Sequence, residues 1–120
     1  MRENKLADLS MDFAVAMLEK CDEVKHHRSL VSQLERSSTS IGANIREANY
    51  AHSKADFIAK MQIALKECYE TEYWIELFVK AGMFEREQVR SVYRQCGTIR
   101  RLLSASINTA RYGKKNDAAK

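Results

Sequence analysis

From Phe57 to Phe78 the side chains alternate in helical time. Phe57, Met61, Ala64, Cys68, Thr71, Ile75 and Phe78 are spaced 4, 3, 4, 3, 4 and 3. That heptad seam predicts a helix with one core-facing side about six turns long. Ser53 can cap its start, and Asp56 stands where Glu or Gln completes a capping box. Lys80 and Gly82 suit its end, as a cation at the negative pole and a left-handed C′ residue. The remaining faces are not purely polar. At about 100° per residue, Ile58, Leu65, Tyr69 and Tyr73 fall on one flank of the seam, and Ile63 and Trp74 on the other. A helix apolar nearly all round wants burial on more than one side. This one is expected to lie between its own bundle and something else.

Three further helices follow from the same arithmetic. The first is expected from about Asn4 to Cys21 or Val24, with Leu6, Leu9, Phe13, Met17 and Cys21 as its stripe and Asp8, Asp12 and Glu19 turned outward. The polar segment Lys20–Arg28 reads as the first connection. The second helix begins near His27 to Ser29 and carries Leu30, Leu34, Ile41, Ile45 and Ala48. Its middle, Arg36-Ser-Ser-Thr-Ser-Ile-Gly-Ala-Asn-Ile-Arg46, is poor in helix formers, and Gly42 alone costs about 1 kcal/mol against alanine. Either the helix breaks at Ser37–Ser40, or it continues and its small residues admit a neighbouring helix. Continuity is favoured because Leu30, Leu34, Ser37, Ile41, Asn44 and Ala48 keep the heptad without a phase shift. Ser and Thr can also bond back to a carbonyl one turn earlier. After the turn Asn49–His52 and the long third helix, a fourth runs from Phe84 or Glu85 to about Arg111. Its seam of Val89, Val92, Cys96, Ile99, Leu103, Ser106 and Ala110 is again unbroken.

Composition agrees with an all-α chain. It has 120 residues, no proline and four glycines, enough for one domain with a sizeable core and little to punctuate long helices. No apolar run approaches the length that spans a bilayer. The charged N-terminus lacks the apolar stretch of a signal peptide, so a cytoplasmic protein without a membrane partner is expected. Cys21, Cys68 and Cys96 are an odd count and lie far apart in sequence; they read as small buried hydrophobes. The net charge is +4, and it is unevenly placed. From Met83 onward there are nine Lys or Arg against three acids, while residues 1–82 hold eleven bases and thirteen acids. Such asymmetry hints at an anionic partner.

Catalytic chemistry finds no footing. A di-iron bundle needs Glu-x-x-His on two helices and a Glu from each of the others; the lone Glu23-Val-Lys-His26 lies in a connection. Adjacent His26 and His27 point apart and make a poor metal pair. Glu67, Glu70, Glu72 and Glu76 read as a solvated or inter-subunit polar face. No phosphate loop accompanies Gly42, and neither metal nor cofactor is expected.

Two surfaces stand out instead. On the fourth helix Arg86, Arg90, Arg94, Arg100, Arg101 and Arg111 share one sector, centred about 130° from the seam, with Tyr93 inside it. Arginine forks suit phosphate and tyrosine can stack on a base, so this sector, with Lys114 and Lys115 of the tail, is the candidate RNA or DNA surface. A plain solvated helix face is the competing reading. On the third helix Ile63 and Trp74 stack along one line with Glu67 and Glu70 between them, as at an interface mixing anchors with polar contacts. The expected partner is another copy of the chain. A scaffold that binds some other protein and no nucleic acid is the alternative.

Several motifs are familiar together: Thr39-Ser-Ile-Gly-Ala-Asn-Ile-Arg-Glu-Ala48, Ser53-Lys-Ala-Asp-Phe57, Ile63-Ala-Leu-Lys-Glu67 and Glu70-Thr-Glu-Tyr-Trp74. They resemble the four-helix-bundle proteins encoded in intervening sequences of bacterial large-subunit ribosomal RNA genes. The resemblance covers the first helix to the fourth, is strongest from Leu34 to Leu77, and ends before the tail. It implies an antiparallel up-down-up-down bundle over residues 1–112, assembled as a homo-oligomeric ring, commonly a pentamer. Residues 113–120 would be a basic disordered tail. A more distant similarity is to the accessory protein of diversity-generating retroelements, which implies nucleic-acid binding. Neither relative offers a catalytic site to carry over.

Overall fold

The computed structural model describes residues 2–113, with side chains from Lys5 onward. Four helices account for almost all of it: α1 (Arg2–Asp22), α2 (Arg28–Asn49), α3 (Lys54–Lys80) and α4 (Arg86–Tyr112). Short connections fold each helix back along the one before. α2 and α4 each pack against both α1 and α3, so α1 and α3 stand at opposite corners of an up-down-up-down bundle.

The seams face inward as their spacing requires. Met61, Ala64, Cys68, Thr71, Ile75 and Phe78 of α3 are buried, and so are Val89, Val92, Cys96, Ile99, Leu103 and Ser106 of α4. Phe13 and Met17 of α1 and Leu34, Ile41 and Ile45 of α2 fill the space between them.

α2 runs unbroken through its small-residue stretch. Ser38 Oγ donates to the Glu35 carbonyl at 3.2 Å, Thr39 Oγ1 to the same carbonyl at 2.8 Å, and Ser40 Oγ to that of Arg36 at 2.6 Å. These bonds satisfy hydroxyls that would otherwise be costly to bury. Across the core, Thr71 Oγ1 donates to Ser37 Oγ at 3.0 Å. Gly42 is where α1 comes close: a Cβ there would sit 3.1 Å from Ser10 Oγ.

The helix ends explain the chain reversals. Ser53 Oγ accepts from the Asp56 amide at 3.1 Å and starts α3. At its other end Gly82 has φ 80°, its N–H reaches the Val79 carbonyl at 3.0 Å, and the Met83 N–H reaches that of Phe78 at 2.8 Å. This paired Schellman closure needs a left-handed residue that glycine adopts without cost. α4 begins at Arg86, where the Gln88 side chain accepts from the Glu85 amide at 2.9 Å. The same Gln88 donates to Glu23 at 2.6 Å, tying the start of α4 to the end of α1.

Candidate nucleic-acid interface

Turning the α4 seam inward throws its opposite side outward. Arg86, Arg90, Arg94, Arg101 and Arg111 are exposed there, yet they are not equivalent. Arg90 closes on Glu87 one turn earlier, with contacts of 2.6 and 3.0 Å. That pairing holds the Glu87 carboxyl below the ordinary carboxylate range. Arg101 reaches Thr98 Oγ1 at 3.4 Å. Arg86, Arg94 and Arg111 have no side-chain hydrogen bond or ion pair among the described residues. Their charge is spent on nothing inside the bundle.

Arg100 is placed differently. It leans toward α3, half-buried. Its Nε donates to Glu72 Oε2 at 2.8 Å, and its guanidinium lies 5.5 Å from the centre of the Tyr69 ring. Glu72 is buried, with 8% of its surface exposed, so it is part of the α3–α4 contact and not of a solvated acidic face. The helical turn decides this: Glu72 is one position beyond Thr71 of the seam, on the side toward α4. The hydrogen bond to Glu72 raises the Arg100 pKa, and the pair neutralises itself. Lys114 and Lys115 lie outside the described residues.

Tyr93 also leans toward α3. Its hydroxyl donates to Glu76 Oε2. That bond, aided by burial, pushes the phenol up to about 12, so it stays a neutral donor at any physiological pH. The bond pins the ring across a groove of about 840 Å³ between the end of α3 and the start of α4. Ile75, Val89 and the half-buried Val79 form its apolar floor, and exposed Lys80, Arg86, Arg90 and Arg94 form its rim.

The line on α3 has its own geometry. Ile63 is exposed, and Trp74 is half-buried with its indole N–H donating to Glu70 Oε2 at 3.1 Å. Arg36 of α2 reaches across to both acids, 3.3 Å from Glu67 Oε1 and in direct contact with Glu70. Burial alone would raise the Glu70 carboxyl; the bonds from Arg36 and Trp74 outweigh it and hold the group below the usual carboxylate range. Glu67 and Glu70 are therefore already engaged within one chain. The sequence carries no sign of this role for Arg36, which stands at the edge of the Ser/Thr run and far from Glu67 and Glu70 along the chain.

A second omission is on α1. Met11, Val15 and Leu18 are exposed by 53, 52 and 44% and lie on one face at spacings of 4 and 3. They form a second apolar stripe beside the buried one, and the same counting that found the α3 seam would have found it. Among the described residues, no three His, Cys, Asp or Glu are grouped as metal ligands would be, and no helix is long and apolar enough to cross a membrane.

Comparison with known proteins points one way. The sequence profile of the 23S rRNA-intervening sequence protein family matches residues 2–105. A crystal structure from Bacteroides thetaiotaomicron, described as a protein with unknown function from the S23 ribosomal protein family, is similar over 91% of this chain and 100% of its own. The two share 43% sequence identity with a TM-score of 0.85. No curated protein matches the chain.

Proposed function

The chain belongs to the 23S rRNA-intervening sequence protein family, and from that premise we propose that it is a non-catalytic, self-associating bundle that binds RNA or DNA through the outer face of α4. One observation carries the reading: Arg86 and Arg94 stand beside Lys80 on one rim with no partner of their own among the described residues. Solvated arginines are ordinary singly, but cations left unpaired around a shared groove suit a polyanion. The distant likeness to the retroelement accessory protein supports the same reading.

Self-association uses different helices. Met11, Val15 and Leu18 lie on α1, Ile63, Tyr73 and Trp74 on α3, and these two helices are at opposite corners of the bundle. Two apolar surfaces on opposite sides favour a head-to-tail contact, which closes into a ring when the rotation permits. A ring of five is what the family resemblance implies. Such packing leaves α4 outward, so the assembly repeats the basic face and multiplies weak contacts.

Reversal of Arg86, Arg94 and Arg101 to glutamate tests the binding surface. Arg90 is spared because its reversal would also set two carboxylates against each other at Glu87. The triple variant is expected to lose binding to a mixed RNA and DNA pool at low salt while its circular dichroism stays that of the parent. Equal binding by variant and parent would reduce the arginines to a solvated face and favour a scaffold for a protein partner. Salt separates the two partners as well: phosphate binding weakens steeply as salt rises, and an apolar protein interface does not.

A further inference from the structure

We propose that the α3–α4 groove takes a nucleotide unit of a single strand, with the base on the groove floor and the flanking phosphates on the rim. The proposal rests on the nucleic-acid reading above and narrows it to one class of strand.

The groove is amphipathic in the way a nucleotide is. Its floor is Ile75, Val79 and Val89, and its rim is cationic. A surface serving only the phosphates of a duplex needs no recessed apolar floor, because the bases of a duplex stay stacked on each other. A base can reach the floor only if it is unstacked, which single strands allow. Tyr93 is already held at this floor by Glu76, so a base meets a ring whose freedom has been removed before binding. Pre-ordering of that kind saves part of the entropy that binding otherwise costs.

The rim fits the rest of the strand. Arg86 and Arg94 lie eight residues apart, about 12 Å along one side of the helix, a span that phosphates of an extended strand can bridge, with Arg90 between them already paired to Glu87. Among the described residues, Glu76 is the one carboxylate lining the groove, and it accepts the Tyr93 hydroxyl. Glu87, just outside it, is held by Arg90. Glu76 keeps its charge, and anions at the rim still meet an excess of positive charge from Lys80, Arg86 and Arg94.

The test uses the full chain and three labelled probes of equal length: a thymidine oligonucleotide, the same backbone without bases, and a duplex. Fluorescence anisotropy at low salt is expected to rank the thymidine strand at least 10-fold tighter than either of the others. Tyr93→Ala should bring the thymidine strand down to the level of the abasic one and leave the abasic affinity unchanged. Arg86→Glu with Arg94→Glu should weaken all three. For the parent, log K against log salt should fall with a slope of roughly −2, as expected when about three phosphates of a single strand are neutralised. If all three probes bind alike and Tyr93→Ala changes none of them, the groove inference is overturned while the basic-face reading stands. If no probe binds, both fall together. If an acidic peptide rich in aromatic residues displaces the thymidine strand at equal concentration, the groove is a protein site and the inference is likewise lost.

Discussion

Gly42 decides how near α1 can come to α2. A Cβ there would lie 3.1 Å from Ser10 Oγ, closer than most relaxed contacts, and 3.4 Å from Ser10 Cβ, while the glycine itself costs α2 about 1 kcal/mol of helix propensity. The helix keeps an unfavourable residue because the Ser10 side chain of α1 occupies the room a side chain here would need. Gly42→Leu should therefore destabilise the bundle by roughly 1–3 kcal/mol through overpacking, seen as a fall in thermal midpoint of about 4 °C or more. An unchanged midpoint would contradict the close approach. The small-residue run carries this legibly: its heptad register marked α2 as continuous, and the structure supplies the hydroxyl-to-carbonyl bonds that make continuity affordable. Which helix approaches the glycine was not legible, because Ser10 is more than thirty residues away in sequence.

Elements are joined by polar ties whose partners the sequence hides. Arg36 of α2 spans Glu67 and Glu70 of α3, and Lys60 of α3 lies 3.5 Å from Glu47 of α2. Glu70 titrates below its ordinary range in the fold. A lowered folded pKa gives stability that is present above the unfolded value, about 4.3 for glutamate, and is lost as the pH falls through the folded value. Arg36→Gln should thus lower the thermal midpoint at pH 7, and the gap from the parent should close below about pH 4. Because Arg36 is about half-exposed, with 47% of its side chain open to solvent, the effect at pH 7 should stay below about 1 kcal/mol. A gap that persists at pH 3 would show that Arg36 acts through packing of its stem instead. The same hidden ties explain the candidate site. The sector of arginines on α4 follows from helix geometry alone. That Arg100 is consumed by Glu72 and Arg90 by Glu87, whereas Arg86 and Arg94 have no partner among the described residues, depends on where α3 lies and how each side chain turns. A projection of one helix contains neither.

On the scale of the whole molecule, the bundle leaves apolar surface at two opposite corners and basic surface at a third. Scattered apolar side chains on a surface need no partner. Aligned ones that share a helix face are the pattern of a contact, and here there are two such alignments, on α1 and on α3. If copies pack head to tail, the two faces meet each other and each chain carries one of each. The parent is then expected to scatter light as an oligomer at micromolar concentration; a monomer there defeats the self-association reading. Trp74→Ala should weaken the contact by about 2 kcal/mol, the scale of a tryptophan hot spot, or about 30-fold in Kd. Combined with Ile63→Glu it should give a monomer. Val15→Glu, which spoils only the α1 face, should also give a monomer. The two monomers, mixed, each retain the face the other has lost and should form a 1:1 pair that grows no further. A mixture that stays monomeric would rule out the head-to-tail arrangement, since an isologous contact using one face twice offers no such rescue. A parent oligomer indifferent to all these changes would keep the assembly and move its interface away from both α1 and α3.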